Sequence, residues 1–106
     1  VYVIGGVEMT RAINICVAVK DAIDAGRTVY ITDATETRKV VGIEFLAANS
    51  YREFDEQSLV VQADYGNGET KPWEVVVTWP WDELDGWAME EVDGDLIIAP
   101  EWWLKL

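Results

Sequence analysis

Apolar residues at Ala12, Ile15, Cys16, Val19, Ala22 and Ile23 follow the i, i+3, i+4, i+7 spacing of one helical face, which predicts a helix over Thr10–Ala25. Thr10 is its candidate N-cap, and Gly26 is placed to take the left-handed conformation just past its end. A strand reading competes over part of this segment, because Ile13, Ile15, Val17 and Val19 alternate and are β-branched. The composition of Lys20–Ala25 favours the helix. Its charges oppose the helix dipole, with Arg11 in the first turn and Asp21 and Asp24 in the last, so packing rather than local preference must hold it.

Beyond Gly26 the period changes to two. Thr28–Asp33 alternates Val29 and Ile31 with polar or aromatic neighbours, and Arg38–Leu46 places Val41, Ile43 and Phe45 on one face, with Ala34–Thr37 as the turn between them. Ser50 and Glu53 have capping-box spacing, which predicts a short helix over Tyr51–Gln57 with Tyr51 and Phe54 reaching the core. Strands are then expected at Ser58–Tyr65 and Pro72–Trp79, joined by Gly66-Asn67-Gly68, whose Asn-Gly pair supplies the two positive φ angles of a type I′ turn. Trp73, Val75, Val77 and Trp79 share a face of the second strand, which marks Trp73 and Trp79 as core. Trp87–Val92 and Asp95–Ala99 flank Asp93-Gly94, a second hairpin signal. One helix followed by about five to six strands reads as α+β: an N-terminal amphipathic helix on a mostly antiparallel sheet, or a half-open barrel as the nearest variant. The strand order is not encoded in these local patterns.

A length of 106 residues suits a single domain spanning 1–106. The chain opens at Val1, Met9 is a candidate natural start, and residues 1–8 are read as disordered or as a remnant of processing. Half the residues are hydrophobic, enough to build a core. Twenty acids against eight bases give a net charge of −12, which opposes direct binding to nucleic acid or to anionic membrane surfaces. The absence of histidine removes Ser-His-Asp and Cys-His nucleophile systems and most transition-metal sites. Cys16 has no partner for an internal disulfide and lies on the presumed buried helix face, as expected of a core thiol in a reducing, cytoplasmic setting. No apolar run is long enough to span a bilayer, and no signal-peptide or N-glycosylation pattern is present.

Charge and tryptophan are both unevenly spread. Residues 72–106 carry nine acids and the single base Lys105, and the same stretch holds all six tryptophans. Candidate binding residues are therefore the carboxylates of Asp82, Glu83, Asp85, Glu90, Glu91, Asp93 and Asp95. Beside them stand Trp81, Trp87, Trp102 and Trp103, since tryptophan is enriched at the buried centres of interfaces. The adjacent pair Trp102-Trp103 cannot turn both rings inward, whether in a strand or a helix. The bland alternative is that the acids are simply a solvated face or an adaptation to high salt. Catalysis has little support: the acids offer pairs, but a chain this short has little scaffold for a cleft, and no catalytic residue, metal site or cofactor is assigned. Gly94 does not fit the glycine of a Ca²⁺ loop, because Met89 and Pro100 would then occupy two ligand positions. Asp82, Asp85, Asp93 and Asp95 suggest at most a loose divalent-cation site. Gly5-Gly6 lacks the rest of a dinucleotide fingerprint.

Two function classes remain. In the first, the chain is a non-catalytic acidic interaction module that docks on a basic protein surface, in its sharpest form an inhibitor or nucleic-acid-mimicking decoy of a nucleic-acid-processing protein. In the second, tryptophans line a carboxylate-containing pocket for a cationic or carbohydrate ligand. Long hairpin edges and six tryptophans also lead to an expectation of a homodimer.

Overall fold

The computed structural model describes residues 3–4, 7–8, 10–50, 55–78 and 86–105, with side chains over 12–46, 57–77 and 86–105. Helix α1 (Thr10–Asp24) buries Ala12, Ile15, Cys16, Val19 and Ala22, with Ile23 packed at the margin. Val17 is 52% exposed between the buried Ile15 and Val19, which separates the helical period from the alternating one. The helix closes in a Schellman motif. Gly26, at φ +77°, donates its N–H to the Ile23 carbonyl at 3.0 Å, and the Arg27 N–H reaches the Ala22 carbonyl at 2.8 Å.

Two short strands, β1 (Val3–Ile4) and β2 (Val7–Glu8), pair antiparallel with each other. The main sheet contains β3 (Val29–Thr32), β4 (Thr37–Ser50), β5 (Asp55–Gly66), β6 (Glu69–Thr78), β7 (Trp87–Val92) and β8 (Asp95–Pro100). Their order is β6-β5-β4-β3-β8-β7. All neighbouring pairs are antiparallel except β3 and β8, which run parallel. Through that pair the β7–β8 hairpin joins the free edge of the β3–β6 meander. There Leu96 and Ile98 extend the apolar floor formed by Val29 and Ile31. The fold is thus α+β with an open sheet; the edge strands β6 and β7 approach each other but do not pair.

Alpha1 covers one face of this sheet. Beneath it lie Val29, Ile31, Leu59, Val61, Val75, Val77 and Ile98, all at most 2% exposed. Full burial of each such side chain contributes about 1.5–3 kcal/mol. A buried polar contact fixes where the helix starts. The Gln57 side chain on β5 accepts the Ala12 N–H at 3.1 Å through Oε1, satisfying one of the donors that the first helical turn leaves open.

The hairpin turns behave as expected. Asn67 and Gly68 have φ of 54° and 78°, and Asp93 and Gly94 have φ of 52° and 88°. The β3–β4 turn is built on Asp33. Its Oδ1 accepts from the Thr35 hydroxyl at 2.7 Å, the Thr35 N–H at 2.9 Å and the Glu36 N–H at 2.8 Å. The Thr35 hydroxyl bond first, and the backbone bonds after it, hold the Asp33 carboxyl below its ordinary pKa.

Two expectations are corrected, and a third is met over the described residues. Val41 does not share the inner face with Ile43 and Phe45: Ile43 is buried, Phe45 pairs with the buried Leu59 and is 37% exposed at the margin, and Val41 is 46% exposed. A register shift between Val40 and Gly42 changes the phase, so Val40 and Ile43 both point inward. Asp55–Gln57 belong to β5 instead of a short helix, while Tyr51 and Phe54 lie outside the described residues. Gln57 pairs with Ala48 on one side and Thr78 on the other, and two ladders outweigh one local capping signal. The strand expected at Pro72–Trp79 is described over Glu69–Thr78, with Trp79 outside the described residues.

Replacing Gln57 with Leu leaves the Ala12 N–H buried without its acceptor and is expected to destabilise the fold by about 1–3 kcal/mol in urea unfolding. Because the native pKa of Asp33 is depressed, its contribution to stability is full above the ordinary carboxylate range and lost as pH falls through the lowered value. Asp33→Ala should therefore lower the urea midpoint at neutral pH, and the gap to the wild type should close in strong acid.

Candidate functional site

Paired residues on neighbouring strands project to the same side, so the register assigns each side chain a face. Opposite α1, one row crosses the whole sheet: Glu90, Ile97, Tyr30, Lys39, Asp64 and Thr70. A second row places Glu44 and Glu74 on either side of Val60. Asp95, opposite Val92, extends the same face toward the hairpin tip. Glu44, Glu74 and Glu90 are exposed, Asp64 and Asp95 partly so, and Lys39 is the one base on this face among the described residues. Half-buried apolar and aromatic residues are interspersed with these charges: Tyr30 stands beside Lys39 and Ile97, Val60 lies between Glu44 and Glu74, and Val76 lies on edge strand β6.

The segment rich in acid and tryptophan is spread over several surfaces. Glu90 lies on the outer face, and the exposed Asp93 sits at the hairpin tip. Neither makes an ion pair among the described residues, and nor does Asp95. Glu91 projects to the α1 side and accepts from the Arg27 guanidinium at 2.7 Å, while Arg27 Nε donates to the Gly94 carbonyl at 2.9 Å. Arg27, from the loop after α1, thus clamps the hairpin to the helix.

Trp87 is partly buried against the core, opposite Pro100. Helix α2 (Glu101–Leu104) carries Trp102, 42% exposed, and the half-buried Trp103. The Glu101 N–H donates to the Gly86 carbonyl at 2.9 Å, which ties α2 to the start of β7. Trp87 and α2 therefore mark one end of the hairpin and Asp93 the other, roughly 20 Å away at about 3.3 Å per strand residue. Trp81, Asp82, Glu83 and Asp85 lie outside the described residues.

Other constellations emerge only in three dimensions. Trp73 is half-buried and donates through Nε1 to the Tyr65 hydroxyl at 2.7 Å. The Tyr65 ring also meets the Arg38 guanidinium at 4.0 Å and the Lys71 ammonium at 4.7 Å from its centroid. The Asn67-Gly68 hairpin brings these side chains together, since Ala63 pairs with Lys71 and Val61 with Trp73. Glu44 and Glu74 were not singled out in the sequence, although each alternates with an inward-facing residue of its strand.

A groove of about 450 Å³ runs between the C-terminal half of α1 and the β7–β8 hairpin, over Ala18, Ala22, Met89 and Leu96. No tryptophan lines it. Among the described residues no three Cys, Asp or Glu side chains gather as a metal site, and no helix is long and apolar enough to cross a membrane. Cys16 is buried, and desolvation raises its thiol pKa despite the nearby charge of Lys20. No family model, curated protein or solved structure matches the chain.

Arg27→Ala removes both clamping bonds and should cost about 1 kcal/mol, because the guanidinium is partly solvated. Amide exchange should quicken at Glu91–Leu96 while the first turns of α1 keep their protection.

Proposed function

We propose that the protein is a non-catalytic interaction module whose outer sheet face docks on a basic surface of another protein. The observation that carries this reading is the face itself, where Glu44, Asp64, Glu74, Glu90 and Asp95 share one side of the sheet with Lys39 as the one described base. Charge of one sign on a rigid support steers encounter with the opposite sign, while the central Tyr30 and Ile97 supply short-range contact. On this face Glu44 and Glu74 stand two strands apart, roughly 10 Å at about 4.8 Å per strand, and Glu90 and Asp95 lie diagonally across the β7–β8 pair. Such an array offers a nucleic-acid-binding groove the negative potential it ordinarily meets in a phosphate backbone. The partner class we favour is accordingly a nucleic-acid-processing protein, with the module acting as inhibitor or decoy. A lone buried thiol fits a reducing, cytoplasmic setting, and the lack of any histidine accords with a role in binding rather than catalysis.

The test measures binding to a panel of purified DNA-binding enzymes, with a neutral globular protein as control, at about 50 and about 200 mM salt. Affinity for at least one basic member should fall tenfold or more between about 50 and about 200 mM, and duplex DNA should compete. The variant Glu44→Lys, Glu74→Lys, Glu90→Lys should keep the wild-type circular dichroism spectrum and lose binding. Salt-independent binding, undiminished binding by the variant, or no binding to any basic member rejects the reading.

A further inference from the structure

The two edges of the sheet are built differently. Beta6 has the features that keep an edge from recruiting another strand: Pro72 withholds a donor, Lys71 adds a charge, and register shifts interrupt its ladder with β5. Beta7 is protected only by carboxylates. It contains no proline or lysine and pairs with β8 over six residues without a shift. Among the described residues no strand pairs with its outer side, which β6 approaches without joining. Exposure rises along it, from half-buried Trp87, Ala88 and Met89 to exposed Glu90, Glu91 and Val92. The half nearest the tip is therefore the accessible template.

The side chains of that half select what can pair with it. Glu90 projects to the outer face and Glu91 to the α1 face, so an added strand meets a carboxylate on either side of its own plane. Asp93 adds a third just past the strand. Antiparallel pairing of β7 with its own copy, centred on Glu90 or Glu91, sets like charges opposite each other, which is destabilising. Extended segments with a basic side chain on each face meet opposite charges in the same places. The single neutralised member, Glu91, shares one oxygen with Arg27 and keeps the other.

We propose that β7 accepts an extended Lys- or Arg-containing segment of a protein partner as a seventh strand. Main-chain hydrogen bonds would supply affinity, and Glu90, Glu91 and Asp93 the preference for basic sequence. The proposal rests on the docking reading above and specifies its geometry: the partner's chain continues the sheet past β7 while neighbouring basic groups reach the outer face.

Two fluorescent peptides of equal length and charge separate the ideas. One alternates Lys with Val and Thr; in the other, prolines replace the central Val and Thr residues, which removes strand donors while keeping every lysine. The alternating peptide should bind at low salt at least about tenfold tighter than the proline peptide, and should slow amide exchange within Ala88–Val92. Glu90→Gln should weaken it about fivefold without altering the thermal midpoint. Equal binding of both peptides, or protection confined to β6, overturns strand addition while leaving charge-driven docking intact. If neither peptide binds, and the DNA-binding enzymes also fail to bind, docking and strand addition fall together. If the enzymes bind and neither peptide does, strand addition alone is overturned.

Discussion

Packing of the α1 stripe determines which side of the sheet becomes the interior, and the distribution of charge follows from that choice. Ala12, Ile15, Cys16, Val19 and Ala22 cover Val29, Ile31, Leu59 and Ile98, so the alternate residues on every strand must face outward. Where those alternates are Glu44, Glu74 and Glu90, the carboxylates collect on one surface. A shift of one residue in β4 or β5 would drive the acids inward and the aliphatics out. The Gln57 contact with the Ala12 N–H helps prevent this, because it couples the start of the helix to a definite position on β5. Local electrostatics do little for the helix, which ends in Asp21 and Asp24 with no base in its last turn.

Much of this architecture was legible in the sequence wherever a short segment carries its own instruction. Period 3.6 identified the buried face of α1 residue by residue, and Asn67-Gly68 and Asp93-Gly94 located two hairpins through backbone angles that few other dipeptides adopt so readily. What escaped notice depends on residues far apart in the chain. The bulge that turns Val41 outward exists only relative to β5, and the parallel seam between β3 and β8 joins segments more than sixty residues apart. At Asp55–Gln57 a capping-box spacing was a genuine local preference, but one opposed by pairing on both flanks.

The candidate site shows the same division. Counting charge along the chain drew attention to residues 72–106 and included Glu90, Asp93 and Asp95, yet it grouped them with Glu91, which faces the other way and is held by Arg27. Counting along the chain also passed over Glu44, which joins the acidic face from β4. Tryptophan followed a different rule. Trp73 and Trp87 are partly consumed by the fold, one through a hydrogen bond to Tyr65 and the other through core packing, and Trp102 stays exposed at the end of the hairpin remote from the acidic tip. Carboxylates must remain near water and so report on faces; large amphipathic rings divide between core and surface and do not.

Acidity and edge design meet on β7. A sheet edge without proline, lysine or a bulge is ordinarily a liability, since its open backbone invites pairing with any exposed strand, including that of an identical molecule. Carboxylates on both sides of such an edge oppose self-pairing as lysines would, because either sign repels its own copy. The sign matters only toward other proteins, where an acidic edge admits basic strands and a basic edge acidic ones. Beta6 carries the indiscriminate obstacle of Pro72, which bars pairing whatever the charge of the incoming strand. Beta7 carries only carboxylates, which oppose pairing with its own copy and do not oppose a basic strand.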